Sequence, residues 1–216
     1  MSIILPKSHL DFIVTLRKEI NIISDEVTDL LHKEDVYQTR LKPLIGKIDN
    51  YAFNEAVKNH FNSALIAIRR QLGNDKSEIS LKRLLIKLSR NNEWITEEWY
   101  SNEWLKESSL VKDASDPLAG FVQGIPHGEF KRFFGKQGHL DKAIVEEDLQ
   151  RLEEATSKIK QYVDERIAHT DKNKQQVNLN DEYYLNALSV IEKVTSKYIL
   201  LLNQVGMPKL TPVIQD

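Results

Sequence analysis

Apolar residues recur at steps of three and four along most of the chain, the spacing of one face of an α-helix. Phe12, Leu16, Ile20, Ile23, Val27, Leu30 and Leu31 form the first stripe, and Ser8, just after Pro6, is placed to cap the helix that carries it. Phe53, Val57, Phe61, Ala64, Leu65, Ile68 and Leu72 form the second, in a helix predicted over about 43–72 and closed by Gly73 and Asn74. A short helix over 80–90 follows, with Leu81, Leu84, Leu85 and Leu88 inward. A weaker one over 94–110 carries Trp94, Trp99, Tyr100 and Trp104. A long helix is predicted over 141–169, striped by Val145, Leu149, Leu152, Thr156, Ile159, Val163 and Ile167. The last, over 181–204, turns Leu185, Leu188, Ile191, Val194, Tyr198, Leu201 and Val205 inward. No stretch alternates apolar and polar residues between turn dipeptides, so no sheet is expected. Helices with one apolar face each must bury it on one another. The prediction is an all-α, up-and-down bundle of about five to six helices with antiparallel neighbours.

Glycine and proline qualify that picture in one place. Five of the eight glycines fall between Gly120 and Gly138, with Pro117 and Pro126 among or beside them. Both residue types oppose regular helix, so residues 113–138 are expected to form an irregular insertion. Pro208 and Pro212 predict a frayed tail over 206–216. There is no internal repeat, and a single domain over 1–216 is expected.

Composition narrows the chemistry. Of 216 residues, 41% are hydrophobic and 29% charged, enough for a core and too apolar for a disordered tail. No apolar run approaches the ~20 residues of a membrane span, and the first ten residues lack a signal peptide's basic start and long apolar stretch. A soluble cytoplasmic protein with no membrane partner is the expectation. The absence of cysteine removes disulfides, thiol nucleophiles and Cys-based zinc sites. A net charge of -2 excludes a globally basic nucleic-acid coat. A local basic stretch remains: seven basic residues against two acidic ones between Arg69 and Arg90. It either lines an RNA path, with Arg69 and Arg70 contacting phosphates, or is a solvated helix face.

The end of the 141–169 helix is the most informative segment. Tyr162, Arg166 and His169 cluster on one flank of its stripe, and the chain then leaves through Thr170, Asp171, Lys172 and Asn173. Arginine and histidine three apart face the same way, a fixed cation beside a group able to titrate near neutrality. The histidine can take a proton from a ribose 2′-hydroxyl while the arginine holds the phosphate. Alternatively, the two only complement the helix dipole and its free carbonyls. Two histidine–acid pairs, His127 with Glu129 and His139 with Asp141, match no metal-ligand spacing, and no metal or other cofactor is expected. His60 lies beside Ala56, Ala64 and Ala67 and is expected to point inward, either as a satisfied core histidine or as a second site histidine. The three tryptophans, five residues apart, share no helical face and suggest an under-packed or partner-covered segment.

The segment Arg166–Asp171, reading ArgIleAlaHisThrAsp, ends a long amphipathic helix. Upstream stand AlaLeuIleAlaIleArgArgGlnLeuGlyAsnAsp (Ala64–Asp75) and IleSerLeuLysArgLeuLeu (Ile79–Leu85), and a tyrosine-containing helix follows. In this order the chain resembles the HEPN superfamily of helical bundles over roughly residues 45–205, most closely its abortive-infection branch in phage defence. The resemblance implies a metal-independent ribonuclease, of toxin–antitoxin or phage-defence type, with a site often formed across a homodimer. The family motif is an arginine, four to six intervening residues, and a histidine. His169 matches the histidine; Arg166 stands closer, with two residues between, and Tyr162, Val163 and Asp164 occupy the motif arginine's positions. Two functions follow as expectations. One is an endoribonuclease using His169 and Arg166. The other is a non-catalytic module that dimerises or binds a partner such as an antitoxin protein.

Overall fold

A computed structural model describes residues 6–107, 119–167, 180–205 and 210. They form seven α-helices: α1 (Lys7–Val36), α2 (Tyr51–Arg70), α3 (Leu81–Arg90), α4 (Glu97–Glu107), α5 (Ala119–Phe133), α6 (Lys142–Tyr162) and α7 (Asp181–Asn203). Among the described residues there is no strand, only an isolated antiparallel bridge between Thr96 and His139. None of the described helices is long and apolar enough to cross a membrane.

Helix boundaries follow local chemistry. The side-chain oxygens of Asn50, Ser80, Asp141 and Asn180 accept hydrogen bonds from the first-turn amides of α2, α3, α6 and α7, satisfying donors that have no partner within the helix. Asn50 therefore starts α2 later than the predicted position near Pro43, which lies instead in a 3-10 turn over Lys42–Leu44. α1 begins at Lys7, directly after Pro6, rather than behind a Ser8 cap.

Four rods make the bundle: α1, α2 continued by α3, α6 and α7. Cross-links pair the rods in reversed order. Arg17 donates to the Leu202 carbonyl at 2.6 Å while Tyr184 donates to Glu34 at 2.6 Å, so α1 and α7 are antiparallel. Lys82 pairs with Glu153 and Ser89 with Glu146, so α3 and α6 are antiparallel too. The core between the rods holds the predicted stripes, including Leu16, Ile20, Ile23 and Val27 of α1 and Leu65 and Ile68 of α2. In α7 the predicted Leu188, Ile191, Val194, Tyr198 and Leu201 are buried, but the ends of the stripe differ: Tyr184 is buried, whereas Leu185 and Val205 are exposed. Tyr184 wins because its ring meets Phe61 while its hydroxyl reaches a buried carboxylate.

The glycine- and proline-rich segment differs most from expectation. Over 119–133 it is helical, with Pro126 inside the helix, and this raises the helix count to seven. Residues 113–118 of the expected insertion lie outside the described residues, as do 206–209 and 211–216 of the expected tail. α5 pairs with α4. Phe130 and Phe134 are fully buried and form an aromatic cluster with Tyr100, with ring centroids 5.5–5.7 Å apart. Burial of two phenylalanines and the Pro126 ring offsets propensity costs of ~1 kcal/mol per glycine and ~3 kcal/mol for proline. The chain then turns back at Gly135, whose φ of +131° and close approach to Asp141 exclude a side chain. Each tryptophan has contacts within the protomer. Trp99 is buried under Arg17, Trp94 stacks on His9 at 4.2 Å, and Trp104 packs on the core.

Candidate functional site

α6 is regular as far as Tyr162 and then widens into a π turn over Val163–Ile167. Such widenings are frequent at functional sites. The turn is tied down from α2: Arg69 Nε donates to Asp164 Oδ1 at 2.8 Å, and Lys160 Nζ lies 3.3 Å from Asp164 Oδ2. Burial raises the Asp164 carboxyl pKa. Hydrogen bonds and charge from Arg69, seconded by Lys160, outweigh it and hold the group below the usual carboxylate range. Arg69 is thereby brought to the turn that carries Arg166. Ion pairing at Asp164 makes Arg69 a tie between α2 and the π turn. The backbone of Arg166 lies in the turn; its side chain and all of His169 are outside the described residues.

Arg70 goes elsewhere. It reaches Glu26 of α1 at 2.8 Å, beside the bond from Gln71 to Glu26. The basic stretch around it is largely spent in the same way, with Lys82 on Glu153, Lys87 on Glu19, and Arg83 on the carbonyls of Asp75 and Glu78. Of the two readings of this stretch, these pairs place most of its charge between helices.

The start of α7 and the end of α1 hold a second polar group, packed on α2 through Phe61. Glu34 is buried and accepts from Tyr184 at 2.6 Å and from Gln38 at 2.6 Å. Burial, the hydrogen bond and the nearby Glu34 charge push the Tyr184 hydroxyl pKa well up, so it stays a donor. Tyr37 stacks on His60 with ring centroids 5.0 Å apart. His60 Nε2 is buried without a hydrogen-bond partner, so His60 is half-buried and unsatisfied rather than a satisfied core histidine. Glu165 Oε2, in the π turn, is likewise buried and unpartnered, while its other oxygen accepts from Gln161. Orphaned polar atoms are uncommon inside proteins and mark hydrogen-bonding capacity left for something else. Sequence reasoning passed over Glu34, Asp164 and Glu165. For Glu34 a signal existed: it continues the stripe of Leu30 and Leu31 at helical spacing, where a carboxylate needs a buried partner.

The histidine–acid pairs of the glycine-rich region are engaged separately. His127 Nδ1 lies 2.8 Å from Glu97, and Glu129 accepts from Tyr100, whose pKa is pushed up by burial and then by that carboxylate. His139 contacts Asn92, and Asp141 caps α6. Among the described residues no group of three histidine, aspartate or glutamate side chains is arranged to hold a metal. Compared with known proteins, the chain matches no family model, no curated protein and no solved structure.

Proposed function

We propose that this chain is a HEPN-like, RNA-cleaving helical bundle whose site lies where α6 ends. The observation that carries the reading is the π turn held by Arg69 through Asp164, a turn that contains Arg166 and precedes His169 in the sequence. In this mechanism His169 removes the proton of a ribose 2′-hydroxyl, and the oxygen attacks the adjacent phosphorus. The bond from phosphorus to the 5′-oxygen breaks, and the protonated histidine returns its proton to that leaving oxygen. The products are a 2′,3′-cyclic phosphate and a 5′-hydroxyl. Arg166 holds the phosphate as charge develops. Arg69 is a positioning residue. The resemblance supplies the setting, a cytoplasmic phage-defence or toxin–antitoxin protein.

The test is cleavage of RNA by the intact chain beside His169→Ala, with and without chelator. Loss of about 100-fold or more in His169→Ala, cyclic-phosphate ends and indifference to chelator are expected. Arg166→Lys loses more than charge conservation implies, because lysine lacks the planar fork. Full activity in His169→Ala overturns the mechanism. Inactivity of the intact chain on every RNA overturns it in favour of a partner-binding module. That second reading has its own support, since three basic residues of the stretch that could line an RNA path, Arg70, Lys82 and Lys87, are paired with acidic residues of α1 and α6.

A further inference from the structure

α5 buries one side against α4 and, among the described residues, leaves the opposite side uncovered. Pro126 and Phe130 point inward, while Phe121 is 73% exposed and Ile125 is exposed beside it. Phe121 and Ile125 line an open groove of about 610 Å³ together with Gly120, Gly124, Gly128 and Arg132. At 100° per residue, Phe121, Ile125, Gly128 and Arg132 fall within a narrow strip, spaced four, three and four. That is the spacing of a coiled-coil seam.

We propose that this seam docks on the same seam of a second copy of the chain, the two α5 helices running antiparallel about a two-fold axis. Three features select a second copy. First, the spacing reads the same in both directions, so one two-fold register matches all four positions at once. It sets Phe121 against the partner's Arg132, and Ile125 against the partner's Gly128. Second, the pairs are complementary. A cation meets an aromatic face, and a branched side chain meets a position with no Cβ. Arg132 already stacks on its own Phe133 at 5.0 Å, which presents the planar guanidinium for a second ring. Third, a Cβ built at Gly120, Gly124 or Gly128 meets nothing within 4 Å, so nothing within the described protomer fills the space those glycines leave.

The area sets the strength. α5 has 15 residues, a length of ~22 Å. One helix pair of that length covers roughly half of the ~800 Å² per partner of a standard interface. Association in the high-micromolar range is expected.

Sedimentation of the intact chain from about 10 µM to about 1 mM tests this. A monomer–dimer equilibrium is expected in that range. Gly128→Leu abolishes it while the protomer keeps its helical circular dichroism, because the leucine points into open space in the protomer and collides with the partner's Ile125. Register is tested separately, since the chain has no cysteine. Ile125→Cys mixed with Gly128→Cys forms a disulfide-linked heterodimer under mild oxidation faster than either variant alone. A monomer at every concentration overturns the proposal and leaves the face to a different helical partner. An unchanged dimer in Gly128→Leu, or equal cross-linking in the single-variant samples, overturns it as well.

Discussion

At the residue scale, the side chains that tie the helices together include carboxylates that each hold one cation from their own helix and one from far away in sequence. Asp164 is held by Arg69 and Lys160, and Glu103 by Lys106 and Arg17. For both carboxyls burial pushes the pKa up, and the cationic hydrogen bonds and charges bring it below the usual value. A carboxyl whose folded pKa lies below its unfolded value stabilises the fold above the unfolded pKa of ~4, and the contribution disappears as pH falls through the folded pKa. Melting temperature should therefore drop on acidification below about pH 5, and Asp164→Asn with Glu103→Gln should flatten that drop. The pairs are partly exposed, so the loss at neutral pH should stay within about 1 kcal/mol per pair. A pH–melting profile of the double variant identical to that of the unchanged chain would refute the assignment.

At the element scale, α5 shows packing overriding propensity. Gly120, Gly124 and Gly128 open toward solvent, with no neighbour near a Cβ, so they are costs the helix carries rather than requirements of its protomer fold. Gly124→Ala should stabilise the chain by about 0.5–1 kcal/mol, raising the melting temperature by ~1–4 °C in dilute solution. Unchanged or lower stability in differential scanning calorimetry would show that Gly124 serves the protomer. Sequence propensity made this segment irregular because it weighs each glycine and Pro126 locally. The compensating partner, Tyr100, lies 30 positions before Phe130, and its contact with Phe130 and Phe134 exists only after α4 and α5 come together. The π turn after Tyr162 was equally hidden, since Ile159, Val163 and Ile167 keep steps of four through it, as a regular helix would.

At the scale of the whole molecule, rods are joined by a few buried polar ties amid apolar packing. Asp148 of α6 is buried and accepts from Lys197 at 2.5 Å and from the Tyr198 hydroxyl at 3.0 Å, both on α7. Asp148→Ala strands a buried hydroxyl and a half-buried cation, and should cost about 3 kcal/mol by chemical denaturation. A cost below about 1 kcal/mol would show that water takes over the role of the carboxylate. What the sequence by itself determined is the all-α class and the core faces of α1, α2, α3 and α6, because a periodicity of 3.6 is a local property written in consecutive residues. Tertiary structure alone decided that Arg69 and Arg70 part company, one to the π turn and one to Glu26, although they are neighbours in the chain. It alone decided that Glu34 meets Tyr184 across 150 positions, and that α5 is a helix with Phe121 and Ile125 exposed on one face. Those outcomes depend on which rods become neighbours, and that is set by the summed burial of all the stripes rather than by the pattern of any one.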